Sequence, residues 1–381
     1  MKYRSFGRLN WKVSVLGFGT MRLPIKGKDQ SNVDEAQAIN LLHYAIDQGV
    51  NYVDTAYPYH DGSSEVVVGK AITSKYREKV KIATKMPMFH VNNKEDLDYY
   101  FNQQLKRLNT NFIDFYLLHA LNRELWKKTQ DLDVIRWAEE KISQGKIGYL
   151  GFSFHDDFEV FKEIVDSYNW TMCQIQYNYL DETYQAGKRG LQYAASKAIA
   201  VSIMEPLAGG LLAVNPPKEI KEQWSKASKK RSAADWALTW IWNHPEVSTA
   251  LSGMGSMQQL KENLQTADRS EPNSLTIQEL DLITKSRDLY LEVGYIGCTC
   301  CRYCTACKQG VDIPAILALL NESATKRGNT DFQEQIKRKY AETIPEEKRA
   351  NHCQNCGACE EICPQHLPIR KLLAEAVSSF G

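Results

Sequence analysis

Residues 51–59 read NYVDTAYPY. The stretch opens as a short apolar run from Val50 to Val53, just after Gly49, a residue that stops helices. It ends on Asp54, and Tyr59 follows five residues later. Two further apolar runs end in the same manner. KIATK, Lys81 to Lys85, ends in a lysine, and FIDFYLLH, Phe112 to His119, ends in a histidine. Three successive strands therefore each deliver a polar group at the carboxyl end. In a parallel barrel those ends share one face, where the connecting loops build the active site.

Outward from this stretch the same rhythm continues. Strands are expected at 13–19, 50–54, 81–85, 112–118, 147–152, 172–176, 199–204 and 247–251. Helical patterns fall near 65–74, 94–108, 130–144, 157–168, 183–197, 231–243, 256–266 and 277–290. A further helix is expected to be capped by Ser31 or Asn32, with Asp34 and Glu35 in its first turn and Gly49 ending it. Residues 3–12 alternate weakly and suit a hairpin plugging the base of a barrel. Eight strands, each followed by a helix, over 1–290 have the length and order of an α/β (β/α)8 TIM barrel. A doubly wound sheet is the alternative, but GFGTMR after the first strand does not fit its GxGxxG phosphate signature. The loop 205–230 is long for a barrel connection, and its lysines read as a solvated helix face. Trp236, Trp240 and Trp242 suit a buried helix face.

With 381 residues the chain has room for two domains, and a net charge of +1 gives no electrostatic case for nucleic acid. No apolar run approaches a membrane span and no signal-peptide pattern opens the chain, so a cytoplasmic protein is expected. Nine of the ten cysteines lie beyond residue 297, and only Cys173 precedes them. Clustered cysteines in a large chain without a secretory signal read as metal ligands.

Asp54, Tyr59, Lys85 and His119 form a coherent chemical set. A phenol is a weak acid at neutral pH, and an adjacent ammonium favours its phenolate. An aspartate keeps that lysine charged, and a histidine near the phenol orients a carbonyl oxygen or relays a proton. Such a group suits proton donation to an alkoxide formed as a carbonyl is reduced. Tyr57 is a rival acid at a less suitable spacing, and His155 either touches substrate or caps a loop.

With GVNYVDTAYPY, IATK and IDFYLLH, and with GKIGYLGFS, CQIQYN, PLAGG at 206–210 and SGMGSMQQLKEN at 252–263, residues 1–290 resemble the aldo-keto reductases. The resemblance implies that Asp54, Tyr59, Lys85 and His119 are the catalytic tetrad, with Tyr59 as general acid. It implies that Ser153 and Gln174 hold the nicotinamide carboxamide, and that 252–263 is the nucleotide-binding loop and helix, with Glu262 and Asn263 near the adenine. A helix starting near Ser256 would favour a phosphate at its amino end. The sequence departs from the family pattern at Phe154, where many members have asparagine, and at Met204, where many stack an aromatic ring on the nicotinamide. Gly253 and Gln259 stand where NADPH-preferring members often carry lysine and arginine. A 2′-phosphate wants a cation, so NADH and NADPH both remain candidate cofactors.

Cys353, Cys356, Cys359 and Cys363 stand as CxxCxxCxxxCP, the bacterial ferredoxin run. Cys298, Cys301, Cys304 and Cys307 stand as CxxCxxCxxC, with Cys300 extra. Two [4Fe–4S] clusters are expected, with zinc as the alternative for soft thiolate sets. The ferredoxin resemblance implies crossed ligand sets: Cys298, Cys301 and Cys304 with Cys363, and Cys353, Cys356 and Cys359 with Cys307. Residues 313–345 are mostly helical in pattern, so 291–381 is expected to be a small helical ferredoxin-like dicluster domain. The whole chain resembles the aldo-keto reductases that carry such a tail. The expected activity is reversible, nicotinamide-dependent reduction of an aldehyde or ketone, with an electron-transfer protein as a further partner. The alternative is a non-enzymatic electron carrier or redox sensor that keeps the barrel as a nucleotide-binding module.

Overall fold

The computed structural model describes residues 1–27, 29–214, 216–324 and 330–381. The chain divides into two compact units, Met1–Pro206 with Ala234–Leu275, and Leu207–Ala233 with Thr276–Gly381.

The first unit opens with an antiparallel hairpin, β1 (Tyr3–Phe6) and β2 (Leu9–Ser14). The barrel strands follow: β3 (Leu16–Gly19), β4 (Tyr52–Asp54), β5 (Lys81–Met86), β6 (Ile113–Leu121), β7 (Ile147–Phe154), β8 (Met172–Gln176), β9 (Ala200–Met204) and β10 (Thr249–Ser252). They close in the order β10-β3-β4-β5-β6-β7-β8-β9, every pair parallel, which excludes the open doubly wound sheet. Val13, expected in the first barrel strand, belongs instead to the hairpin. Phe6 and Val13 from that hairpin pack with Tyr52, Phe115, Met172 and Ala200. The apolar side chains of the plug thereby fill the barrel floor. Its turn needs Gly7, at φ +55°, because a Cβ there would stand 2.6 Å from Ala198 O.

The helices between the strands are α1 (Glu35–Asp47), α2 (Ser63–Ala71), α3 (Lys94–Arg107), α4 (Arg123–Asp131), α5 (Val134–Ser143), α6 (Phe158–Ser167) and α7 (Gly187–Ser196). In α1 the residues Ala38, Leu41, Leu42, Ala45 and Ile46 are buried, which is the apolar face at helical spacing. Its cap is Asp34, which accepts the Gln37 N–H, rather than Ser31 or Asn32. Asn32 is taken up by a small extended pairing, with Ile25 bridging Val33 and Lys26 N–H donating to Asn32 O at 2.8 Å, while Ser31 Oγ donates to Asp29 Oδ1 at 2.8 Å. The pattern at 130–144 resolves into α4 and α5, broken at Asp133, whose φ is +56°.

The long loop holds α8 (Lys218–Ser225), with residue 215 outside the described residues. Then come α9 (Ala233–Trp242), whose Trp236, Trp240 and Trp242 are buried, and α10 (Met257–Asp268). In the second unit α11 (Ile277–Glu292) meets α8, where Trp224 Nε1 donates to Ser286 Oγ at 2.9 Å. Its core draws on α12 (Ile313–Ala324), α13 (Thr330–Thr343) and α15 (Ile369–Phe380), with the short α14 (Ala358–Glu361) between the last two. Residues 325–329, within the expected helical stretch 313–345, lie outside the described residues. Among the described residues no helix is long and apolar enough to cross a membrane.

Candidate active site

Strand register brings the strand ends together. Gly19 is level with Asp54, Asp54 with Ala83, and Lys85 with Leu117. Lys85 is buried, and its Nζ lies 2.6 Å from Asp54 Oδ1, 2.8 Å from Thr55 O and 3.5 Å from Tyr59 Oη. The His119 ring sits 6.1 Å from the Tyr59 ring, edge to face. The four residues of the expected tetrad are thus gathered at one mouth of the barrel. Burial pulls the Lys85 ammonium down and pushes the Asp54 carboxyl up, while each restrains the other's shift by holding the opposite charge. Burial, then the Lys85 charge, holds His119 well below the usual imidazole range, so its ring is neutral.

Tyr57 goes elsewhere. Its ring lies 4.0 Å from the Arg107 guanidinium carbon and 5.0 Å from the Tyr100 ring. Tyr59 is set by its neighbour His60, which the sequence pattern does not single out. His60 Nε2 accepts the Leu23 N–H at 3.1 Å, which leaves the Nδ1 proton to donate to Gln30 O at 2.8 Å. Both His60 and Asp61 have positive φ, so the turn after Tyr59 is sharply reversed. The mouth beside His119 is aromatic, with Phe89 at 5.5 Å from its ring and His90 at 4.6 Å from Phe89.

The residues expected to hold the nicotinamide lie on the adjoining strands. Ser153 on β7 pairs in register with Gln174 on β8, and Gln174 with Ser202 on β9. Ser153 Oγ accepts the Ala120 N–H at 2.7 Å. Gln174 Oε1 is buried and has no hydrogen-bond partner among the described residues, so an amide donor entering there would satisfy it. Met204 ends β9 and is only partly buried. His155 Nδ1 faces Gln185 Oε1 at 3.2 Å. Ser256 caps α10 by accepting the Gln259 N–H at 3.3 Å. The Gln259 side chain turns back to accept the Gly255 N–H at 2.9 Å. Asn263 Nδ2 donates to Ser252 Oγ at 3.0 Å, and Glu262 lies one residue before it on α10. Gly253 backs onto Arg22, where an added Cβ would come within 3.0 Å, and Arg22 pairs with Glu205 at 3.0 Å.

The second unit gathers thiols. One cavity, with about 320 Å³ of empty space partly open to solvent, is lined by Cys298, Cys301, Cys304 and Cys363, together with Pro364 and Leu317. Burial and the thiols of Cys301 and Cys363 push Cys304 up to about 12. Cys359 is raised by burial and lies in the fields of Cys353 and Cys307. The Asn355 N–H points at Cys353 Sγ at 3.4 Å. Cys356 is exposed. Among the described residues no three His, Cys, Asp or Glu side chains converge on a point that a single metal ion would fill. Cys300 is exposed, and its thiol is hydrogen-bonded to Cys298.

Comparison with known proteins agrees with the barrel. The aldo/keto reductase family model matches residues 15–286. The oxidoreductase YqkF of Bacillus subtilis, itself uncharacterised, is 26% identical over 320 residues, 76% of this chain and 98% of that protein. The NADH-specific methylglyoxal reductase of Escherichia coli is 24% identical, over 69% of this chain and 93% of its own. The holo form of aldo-keto reductase AKR11C1 from Bacillus halodurans superposes with a TM-score of 0.63 at 28% identity, covering 75% of this chain and 96% of that one. With the family model spanning the whole barrel, the chain belongs to the aldo/keto reductase family of NAD(P)-dependent oxidoreductases.

Proposed function

We propose that this chain reduces an aldehyde or ketone with NADH or NADPH, or oxidises the corresponding alcohol, with Tyr59 as the proton donor. The observation that carries this reading is the chain of contacts from Asp54 through the Lys85 ammonium to the Tyr59 hydroxyl, at 2.6 and 3.5 Å. A nicotinamide, when bound, would supply a hydride for the carbonyl carbon. The Tyr59 hydroxyl gives its proton to the carbonyl oxygen, and the Lys85 charge stabilises the oxygen left behind. His119, neutral and facing the same space, has an imidazole N–H to donate to the carbonyl oxygen and so aim it. Asp54 keeps Lys85 charged inside the barrel. Gln174, whose buried oxygen has no partner among the described residues, and Ser153 are the residues that would hold the carboxamide. The Ser256 cap offers the α10 amino terminus to a phosphate, and Gly253, Gln259, Glu262, Asn263 and Met204 would border the rest of the nucleotide. The aromatic mouth formed by Phe89 and His90 suits a substrate with a flat or apolar substituent.

The same proposal extends to two [4Fe–4S] clusters, in a ferredoxin-like domain comprising 291–381 and following a barrel of 1–290. The donor set fits. Cys298, Cys301, Cys304 and Cys363 ring one cavity, and Cys353 and Cys307 both lie near Cys359. Thiols spread around a cavity suit a cluster with several metal atoms better than a single tetrahedral zinc. Cys356 would complete the second set. Such clusters supply one-electron transfer when bound, which an external electron-transfer protein would exploit. The chain's own part is to present soft thiolates against an apolar core, with Cys363 buried and Cys356 left exposed.

The test is Tyr59→Phe. Turnover of a carbonyl probe such as methylglyoxal should collapse while NADH and NADPH still bind. Turnover equal to the parent's removes Tyr59 from the role.

A further inference from the structure

Behind β5, on the side facing the helices, one buried carboxylate has no part in the chemistry described so far. Glu65, in the first turn of α2, is fully buried. Its Oε1 accepts from Thr84 Oγ1 at 2.6 Å and from Gln104 Nε2 at 2.8 Å, and its Oε2 pairs with Arg107 Nη1 at 3.3 Å.

The directions of these bonds are fixed by their neighbours. Tyr116 Oη donates to Gln104 Oε1 at 2.6 Å, which sets the amide with its nitrogen toward Glu65. That nitrogen also donates to Thr84 Oγ1 at 3.1 Å, so the Thr84 proton is left for Glu65. Each of the three side chains bonded to Glu65 is therefore a donor. Such a ring suits a carboxylate and gives a carboxylic acid proton nowhere to go.

This carboxylate reaches the proton-transfer pair indirectly, through the partners of both its oxygens. Thr84 and Lys85 are consecutive in β5, so their side chains leave opposite faces of the strand, one to Glu65 and one into the barrel. Gln104 also donates to Lys85 O at 3.0 Å. Arg107, held by Glu65, donates to Tyr57 O at 3.1 Å, two residues before Tyr59. The groups facing Lys85 are Asp54 from β4, Tyr59 from its turn, His119 from β6 and, through the strand, Glu65 from α2. Those facing Glu65 are Arg107 from α3, Tyr116 from β6 and Lys85.

We propose that Glu65 is a positioning residue for proton transfer, a second carboxylate that fixes the strand carrying Lys85 and the loop carrying Tyr59, and helps keep Lys85 charged. The inference rests on the reading of Tyr59 and Lys85 as the proton-transfer pair.

The experiment compares Glu65→Gln, Glu65→Asp and Thr84→Val in the full chain, with Tyr59→Phe alongside. Lysine Nζ signals are followed by NMR against pH, with a Lys85→Arg spectrum identifying Lys85, and turnover is read with methylglyoxal and NADH. In Glu65→Gln the loss of an anion should lower the Lys85 midpoint by about half a pH unit or more. The alkaline limb of kcat should move to lower pH, and kcat should fall about tenfold with KM for NADH little changed. Glu65→Asp should restore the midpoint. An unmoved Lys85 midpoint in folded Glu65→Gln overturns the proposal. Where Glu65→Gln does not fold, Thr84→Val decides: it should lower kcat without moving the Lys85 midpoint, and an unchanged kcat overturns the proposal. If Tyr59→Phe keeps full turnover, the acid assignment fails by itself, and the Lys85 midpoint still reports on Glu65.

Discussion

Lys85 Nζ lies 2.6 Å from Asp54 Oδ1 and 3.5 Å from the Tyr59 hydroxyl, so one buried ammonium joins the carboxylate at one strand end to the phenol of the next loop. Removing either charge strands the other. In Asp54→Asn the ammonium keeps its burial and loses its counter-charge, so it sheds its proton more readily. Turnover should fall by about 10²- to 10⁴-fold, with nucleotide affinity nearly kept. Breaking a buried pair costs about 3–5 kcal/mol, so the unfolding midpoint should drop as well. Turnover within twofold of the parent's would show that Asp54 does not hold Lys85 for catalysis.

His119 gives a pH test with a definite sign. Burial and the nearby Lys85 charge keep the folded ring neutral, whereas an unfolded histidine titrates near 6.5. Below that value the unfolded chain takes up a proton that the fold refuses, so the His119 contribution to stability is present above pH 6.5 and is lost on acidification. Asp54 and Glu65, whose carboxyls burial pushes up, act in the opposite sense, and so the contribution of His119 must be read as a difference. The fall in urea midpoint from pH 7.0 to pH 5.5 should be smaller in His119→Asn than in the parent. Equal falls would mean that His119 takes up its proton alike in the folded and the unfolded chain.

The readability of these residues follows from where they sit. Asp54 ends β4, Lys85 and His119 stand within two residues of the ends of β5 and β6, and a polar residue at the end of an apolar run stands out against its neighbours. The barrel was readable for the same reason, since each strand is a short run that β-pairing buries on both sides. Glu65 and His60 lack that contrast. Glu65 shares its face of α2 with buried Val68, so its only signal is a carboxylate at apolar spacing. His60 acts through the Leu23 and Gln30 backbone, partners more than thirty residues away or close to it, which no local pattern encodes. The cap of α1 moved to Asp34 for a similar reason, because Asn32 is drawn into pairing with the preceding loop and Ser31 donates to Asp29.

The loop proposed to hold the nucleotide would carry a preference that can be changed. The Gln259 amide oxygen is engaged by the Gly255 N–H, and Gly253 has no side chain to offer. Neither brings a cation to a 2′-phosphate. NADH should therefore bind at least as tightly as NADPH. Gln259→Arg should raise NADPH affinity by about tenfold with NADH affinity little changed, because an arginine makes charge-assisted bonds that only the phosphorylated ribose can use. Fluorescence titration of the two nucleotides checks this. Equal gains for both would mean that position 259 does not meet the 2′ position.

The thiols allow the sharpest separation. Cys363 lines the cavity with Cys298, Cys301 and Cys304, although its own sequence run is the other one. The proposed crossed ligation rests on that placement, since the cavity draws three thiols from one run and the fourth from the other. Cys363→Ser and Cys307→Ser should each remove about half of the iron and sulfide from anaerobically purified protein, and from different clusters. The double variant should lose nearly all of both. Cys300→Ser should keep the full complement, because the exposed Cys300 is not among the residues lining the cavity. Iron and sulfide analysis of the four proteins beside the parent decides the matter. Loss from the same cluster in both single variants would refute the crossing. Zinc in place of iron in the parent would refute the clusters, while the barrel chemistry would be untouched.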